Sequence, residues 1–166
     1  LTDRLLTPVG LYFLGSHFDW GLLKLQVLAE KRELALGDLI QKVLTCDTSD
    51  QLCLDTFDAL LDTRSSFFTP YQTYRYLHTS VLPDLALELS HDRKLRIWCV
   101  GCAAGQEAYS LAIMLDVAMP ELKDWSIDIL GTDLSFSAIN QAKSGRYTTE
   151  EIQQGLPTSL REEYFE

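Results

Sequence analysis

The chain has 166 residues, of which 46% are hydrophobic and 23% are charged, a balance typical of folded globular proteins rather than disordered ones. The formal net charge of −10 argues against a nucleic-acid backbone or an anionic membrane as the main partner. No apolar run reaches the ~18–20 residues that a membrane span needs, so direct membrane insertion is not expected.

The first 62 residues have leucines at spacings of three and four, notably from Leu22 to Leu28 and from Leu34 to Leu44. This spacing predicts amphipathic helices, with Gly37 marking a break between two of them. Ser49 or Asp50 is a candidate cap for a third helix. The pattern predicts a small helical domain.

Residues 63–70, T-R-S-S-F-F-T-P, interrupt this pattern and read as a connector, because the residue before a proline favours an extended backbone. The two phenylalanines, Phe67 and Phe68, either anchor a core or form a lid over a ligand. A further helical stretch runs from Tyr71 to about Leu89, with Pro83 as a kink or a new helix start.

The period then changes. Residues 95–100 read as a buried strand, residues 126–130 read as a second strand, and residues 107–119 and 135–143 read as helices. Strand, helix, strand, helix is the beginning of a parallel α/β sheet. Residues 147–166 read as a polar helical tail without a third strand. The sheet is therefore expected to be incomplete, because the chain is cut, borrows strands from a partner, or has lost residues.

The four cysteines are Cys46, Cys53, Cys99 and Cys102. They are too sparse for a disulfide scaffold and predict reduced thiols in a cytoplasmic protein. Residues 99–102 form a C-x-x-C, but a zinc site needs a second such pair, and the other two cysteines have the wrong spacing. No metal site is expected.

The turn after the first strand carries the most information. The stretch R-I-W-C-V-G-C-A-A-G-Q-E-A-Y-S places Gly101 and Gly105 before a helix that starts with Glu107. It is neither the G-x-G-x-x-G dinucleotide pattern nor a phosphate-binding P-loop. Glu107 would repel a pyrophosphate and suits an ammonium group, whereas Asp133, after the second strand, either accepts hydrogen bonds from a ribose or caps the following helix. Together these features favour S-adenosylmethionine.

Several motifs resemble those of the CheR chemotaxis methyltransferases. Residues 101–112, G-C-A-A-G-Q-E-A-Y-S-L-A, are similar to a G-C-S-T-G-E-E-P-Y-S-L-A type motif, and I-L-G-T-D-L-S, residues 129–135, is similar to their second motif. The segment S-G-R-Y-T-T-E-E-I-Q-Q-G-L-P, the connector T-R-S-S-F-F-T-P and the N-terminal G-L-Y-F, H-F-D-W-G-L-L and L-A-L-G-D-L-I also resemble the family. The resemblance covers nearly the whole chain.

The resemblance implies an α+α/β fold. A small N-terminal helical domain with its connector, residues 1–68, would precede an incomplete Rossmann-like S-adenosylmethionine-binding parallel sheet, residues 69–166. It also implies methyl transfer to glutamate side chains on cytoplasmic helices of chemoreceptors, with S-adenosylhomocysteine as the product. No nucleic acid is implied as a partner. A homodimer is a further hypothesis, in which the pairing of two chains would complete the sheet.

The resemblance implies the cofactor-binding residues as well. Glu107 would bind the methionine ammonium, and Asp133, with Leu134 beside it, the ribose. The turn under the methionine would consist of Gly101, Cys102, Ala103 and Gly105. Ser65 and Thr63 would reach the cofactor from the connector.

No catalytic residue is assigned, because a glutamate carboxylate is already ionised at pH 7 and needs no general base. Tyr147 is a hypothesis for positioning the substrate.

The chain departs from the family at two connector positions. Thr69 stands where the family has an arginine, and Thr63 where it has an asparagine. The segments that follow this α/β half in the family are not in the 166 residues, so a truncated chain that is inactive by itself is expected. The alternative is a non-catalytic relative that binds cofactor or receptor in signalling.

Overall fold

The computed structural model describes residues 16–166; the predicted G-L-Y-F match at residues 10–13 lies outside them. The chain divides into two compact units, the first ending at Asp62 and the second spanning Thr63–Glu166. The expected boundary at residue 68 lies further along, and the difference has a physical reason. Phe67, in the connector, belongs to a buried cluster with Ile113 and Leu156 of the second unit.

The described part of the first unit, from Ser16 onward, contains three helices, α1 (Ser16–Lys31), α2 (Leu36–Thr45) and α3 (Gln51–Leu60). They bury one apolar cluster, formed by Leu25, Ala29, Leu39, Val43, Cys53 and Leu60. The predicted break at Gly37 is wrong, because Gly37 lies inside α2. The chain turns earlier, where Glu33 has a φ of 54° and the Leu34 N–H returns to the Ala29 carbonyl at 3.0 Å, which ends α1.

Cys46 and Cys53 are paired as a disulfide, which corrects the prediction that all four cysteines are reduced. Cys46 directly follows α2, and Cys53 lies in the first turn of α3. The short connection between these helices therefore brings the two sulfur atoms together. Cys99 and Cys102 are free and buried.

The second unit begins with α4 (Tyr71–Tyr76), which passes through a π-helical turn (Leu77–Val81) into α5 (Leu82–Glu88). Pro83 lies in the first turn of α5, directly after the π-helical turn, and the continuous helix lacks the hydrogen bond that a proline cannot donate. The remaining elements, in chain order, are β1 (Lys94–Val100), α6 (Gln106–Ala118), a 3₁₀ turn (Pro120–Leu122), β2 (Ser126–Thr132), α7 (Phe136–Ser144), α8 (Thr149–Gln153) and α9 (Thr158–Tyr164).

The two strands are parallel, in a register that pairs Lys94 with Ser126 and Val100 with Thr132. The strand, helix, strand, helix prediction is thereby confirmed, in a helix-rich structure whose described residues form a two-stranded parallel sheet. Alternate residues of β1, including Leu95 and Cys99, are buried against α6. This packing places the end of β1 and the start of α6 side by side.

The opposite face of the sheet is exposed. It carries an ion pair between Arg96 and Asp128 at 3.7 Å, and the indole N–H of Trp98 donates to the Thr132 hydroxyl at 2.9 Å. Over residues 16–166, no helix combines the length and the apolar character that crossing a bilayer requires.

Candidate functional site

The turn between β1 and α6, residues 101–105, has an unusual backbone. Gly101, Ala103 and Gly105 have φ values of 74°, 45° and 91°, the left-handed region that glycine adopts most readily. A Cβ at Gly105 would lie 2.9 Å from the Cβ of Ala142, whereas a Cβ at Gly101 would meet nothing within 4 Å. Gly105 is therefore needed for packing, and the space beside Gly101 is open.

The turn is fixed to the end of β2 by hydrogen bonds. The N–H groups of Gly101 and Cys102 both donate to the Thr132 carbonyl, at 2.8 and 3.1 Å. The Ala103 N–H donates to Oδ2 of Asp133 at 2.8 Å, while Oδ1 of Asp133 accepts from the Ser135 N–H at 2.8 Å. Asp133 therefore joins the turn to the segment that leads into α7.

The helix cap at the start of α7 is Ser135, whose hydroxyl accepts from the Ala138 N–H at 3.1 Å. Asp133 is not the cap, so the alternative of a capping role for this carboxylate is wrong. Each Asp133 oxygen uses one lone-pair direction for the backbone and keeps another for a ligand. The half-buried carboxylate can therefore accept further hydrogen bonds, and Leu134 beside it is exposed.

Glu107 lies in the first turn of α6 with its side chain exposed. Its charge reaches two buried groups of the core. Burial raises the pKa of Cys99 to about 11, and the nearby Glu107 carboxylate adds to the rise. Burial also raises the pKa of Cys102, with the Asp133 charge as the next cause. Both thiols are thus protonated at neutral pH. Residues 16–166 contain no group of three His, Cys, Asp or Glu side chains arranged for a metal.

The connector lies against the start of α6. The Phe68 N–H donates to the Ser110 hydroxyl at 2.9 Å, and the Phe67 ring packs edge-on against Tyr147 at 5.1 Å and Phe165 at 5.4 Å. Phe67 is fully buried. Of the two interpretations left open, the core anchor is therefore the one that Phe67 fulfils.

A cleft of about 810 Å³ runs beside the connector. Its lining comes from the connector, the turn, α6, α7 and α8, and consists of Thr63, Arg64, Ser65, Ser66, Thr69, Ala104, Gln106, Ser137, Ala138, Gln141, Glu151 and Gln154. The structure thus brings two predicted residues, Thr63 and Ser65, together in this cleft. Glu107 and Asp133 are not in its lining. Ala104 is in the lining, and it belongs to the turn that precedes Glu107 and is hydrogen-bonded to Asp133.

Sequence reasoning missed Gln106 and gave Tyr147 a different role. Gln106 is 3% exposed, and its amide oxygen has no hydrogen-bond partner. The Tyr147 hydroxyl donates to the Ala104 carbonyl at 2.6 Å, so this side chain holds the turn. The only sequence signal for Gln106 is its position as the first residue of α6, directly after a glycine that offers no capping side chain.

Comparisons with known proteins identify the domain that contains this turn. A family model described as "CheR methyltransferase, SAM binding domain" matches residues 63–166. The chain is 31% identical over 148 residues to chemotaxis protein methyltransferase 1 of Pseudomonas aeruginosa. The matched segment covers 86% of this chain and 53% of that protein. It is also 31% identical over 114 residues to the chemotaxis protein methyltransferase of Borreliella burgdorferi, covering 67% of this chain and 40% of the relative.

The chemotaxis protein methyltransferase of Listeria innocua is similar as well, at 31% identity over 131 residues, or 78% of this chain and 47% of the relative. The chain thus spans about half the length of the curated relatives it matches. The matched domain is defined by its binding of S-adenosylmethionine, which is the cofactor of the family. The chain belongs to the CheR methyltransferase family.

Proposed function

We propose that this chain is part of a methyltransferase that esterifies glutamate side chains of chemotaxis receptors with the methyl group of S-adenosylmethionine. The observation that carries the proposal is the match of the S-adenosylmethionine-binding domain over the whole second unit. Relatives named chemotaxis protein methyltransferases suggest the substrate class.

The residues at the turn fit this cofactor. The space beside Gly101 is open, so a ligand can approach the backbone there. The N-cap of α6 is a glycine without a side-chain acceptor, and the free N–H groups of a helix start attract a carboxylate. Two carboxylates, Glu107 and Asp133, complement an ammonium group and a pair of ribose hydroxyls.

Our proposed assignment follows this chemistry. Glu107 binds the methionine ammonium, and Asp133 binds the ribose with Leu134 beside it. The turn residues Gly101, Cys102, Ala103 and Gly105 lie under the methionine. Ser65 and Thr63 reach the cofactor from the connector.

When bound, S-adenosylmethionine supplies an electrophilic methyl group. The chain's own contribution is to hold both reactants in line and to keep water away. The attacking group is the receptor glutamate, which is ionised at neutral pH. No side chain of this protein therefore has to remove a proton.

We further propose the setting of the reaction. The protein acts in the cytoplasm on the cytoplasmic helices of chemoreceptors. Its helical N-terminal domain precedes the connector and a Rossmann-like domain, which form one compact unit from Thr63 onward, and the sheet is completed by further chain or by a second copy in a homodimer. A monomeric mass by light scattering would count against the dimer.

The test is calorimetric titration with S-adenosylhomocysteine, comparing the unaltered chain with Glu107→Ala and Asp133→Ala. Micromolar binding that both substitutions abolish is the expected result. Asp128→Ala is the matched control. Asp128 lies on the exposed face of β2, the strand that ends directly before Asp133, so this substitution should leave binding unchanged. Binding that survives both substitutions would contradict the assigned site.

One observation favours a second candidate, a relative that binds cofactor without transferring methyl groups. The Thr69 hydroxyl, at the position of the family's arginine, donates to the Phe67 carbonyl at 3.2 Å and brings no positive charge to the cleft. Methyl transfer by the whole protein to a receptor fragment, measured as methanol released from the ester by alkali, separates the two. Cofactor binding without any such methanol would support the non-catalytic candidate.

A further inference from the structure

Gln106 is the one buried side chain of the cleft whose polar group lacks a partner in the described part of the chain. Its side chain is 97% removed from solvent, since only 3% is exposed, yet its amide oxygen accepts no hydrogen bond. A buried acceptor without a donor destabilises a fold, and such groups are few in native proteins. A side chain kept in this state indicates a donor that arrives with a ligand.

The other glutamines in the cleft provide a contrast. Gln141 donates to Oε1 of Glu151 at 3.0 Å, and Gln154 accepts from the Ser66 hydroxyl at 3.4 Å. Both amides are thus engaged within the protein. Gln106 alone among the three presents a buried oxygen to the cleft without a partner.

The charges around the cleft indicate what kind of donor fits. Burial works against ionisation of Glu151, but hydrogen bonds from the Thr148 N–H and from Gln141 outweigh it and lower the pKa of the carboxyl. Glu151 is therefore negative at neutral pH, and it lines the same cleft as the neutral acceptor of Gln106. Arg64 is the cationic member of the lining and is exposed. The part of the lining formed by Gln106 and Glu151 thus favours a positively charged donor over an anion.

We propose that Oε1 of Gln106 accepts a hydrogen bond from the α-ammonium group of the cofactor's methionine part, a role that rests on the proposed function. Gln106 is the first residue of α6, and the positive end of a helix attracts the α-carboxylate. The ammonium is attached to the same carbon and must lie near that end, where it needs acceptors to offset the repulsion. Gln106 directly precedes Glu107, the proposed ammonium-binding carboxylate, in the first turn of α6, so the amino-acid end of the ligand is the part that lies nearest to Gln106.

The experiment pairs one substitution with one change in the ligand. Gln106→Leu is titrated with S-adenosylhomocysteine and with the analogue in which hydrogen replaces the α-amino group. A lost hydrogen bond to a charged donor should weaken S-adenosylhomocysteine by roughly tenfold to a hundredfold. The affinity for the analogue should change by less than about twofold, because the analogue has no ammonium to lose.

The thermal midpoint of the ligand-free chain is a second readout. Replacing an unsatisfied buried amide by an apolar side chain of similar volume is neutral or stabilising, so Gln106→Leu should melt at or above the temperature of the unaltered chain. A residue with a merely structural role would lower the midpoint. Gln154→Leu is the matched control, since it removes an exposed amide from the same cleft and should leave both affinities unchanged.

Gln106→Glu retains an acceptor and gives a second test if the leucine variant does not fold. Its preference for S-adenosylhomocysteine over the analogue should equal or exceed that of the unaltered chain. Equal losses for both ligands in Gln106→Leu, no loss for either, or a lower preference in Gln106→Glu would each overturn this inference and leave the proposed function standing. An unaltered chain that binds no S-adenosylhomocysteine would overturn the proposed function itself, and the role of Gln106 with it.

Discussion

Gly155, which follows α8, controls how the connector is held. Its φ is 89°, and a Cβ at this position would lie 1.8 Å from the carbonyl oxygen of Phe67. That oxygen is backbone, and the Phe67 side chain is fixed in the core between Tyr147 and Phe165. Gly155→Ala must therefore displace either the connector or the segment after α8.

The expected cost has two parts. A side chain in the left-handed region costs about 1–2 kcal/mol, and an added methyl group in a packed site costs about 1–3 kcal/mol. We therefore expect Gly155→Ala to lower the free energy of unfolding of the second unit by about 2–5 kcal/mol, which corresponds to a melting temperature lower by roughly 10–25 °C.

Urea unfolding followed by tryptophan fluorescence measures this cost. In a Trp20→Phe background the signal comes from Trp98 and Trp125 of the second unit alone, since the chain has three tryptophans. Gly37→Ala is the control, because a Cβ there meets nothing within 4 Å and Gly37 belongs to the first unit, so this substitution should leave the urea midpoint of the second unit unchanged. An unchanged urea midpoint for Gly155→Ala would refute the close contact between Gly155 and Phe67.

Two further predictions concern the disulfide and the pH dependence of stability. Reducing the Cys46–Cys53 disulfide should lower the free energy of unfolding of the first unit by about 2–3 kcal/mol, because the closed loop is short, with a sequence separation of 7. The urea midpoint followed by Trp20 fluorescence measures this change. Four reactive thiols in the unfolded, unreduced chain would contradict the pairing. Burial, with a smaller opposing effect from the Ser110 hydrogen bond, raises the pKa of Tyr74 to about 12, so the fold favours the neutral phenol. The contribution of this phenol to the free energy of unfolding is therefore complete below pH 10 and is lost as the pH rises toward 12. Tyr74→Phe should therefore make the decline in unfolding free energy between pH 10 and 12 shallower, and an equally steep decline in both proteins would contradict this reasoning.

The secondary structure could be predicted because it depends on local patterns. Leucines at spacings of three and four form the helices of the first unit, and the short apolar runs before Gly101 and Gly131 form the two strands. The disulfide could not be predicted, because the distance between Cys46 and Cys53 depends on the angle between α2 and α3. Spacing along the chain does not define that angle.

The candidate site was only partly accessible from sequence for a similar reason. The glycine turn and the two carboxylates have a recognisable order along the chain. Gln106, by contrast, lies in a cleft that the connector, α6, α7 and α8 line together, so its surroundings depend on segments that are far apart along the chain. The tail after Tyr147 read as polar, yet Leu156 within it is buried beside Phe67, and this contact is invisible until both segments are placed.

The hydrogen bond between the Trp98 indole and the Thr132 hydroxyl gives the molecule a spectroscopic reporter of its own. Thr132 also holds the turn through its carbonyl and directly precedes Asp133, while the Trp98 ring is 66% exposed. A ligand that shifts the end of β2 must change the surroundings of this indole. With the other two tryptophans replaced by phenylalanine, the emission of Trp98 can therefore follow events at the turn without any attached dye.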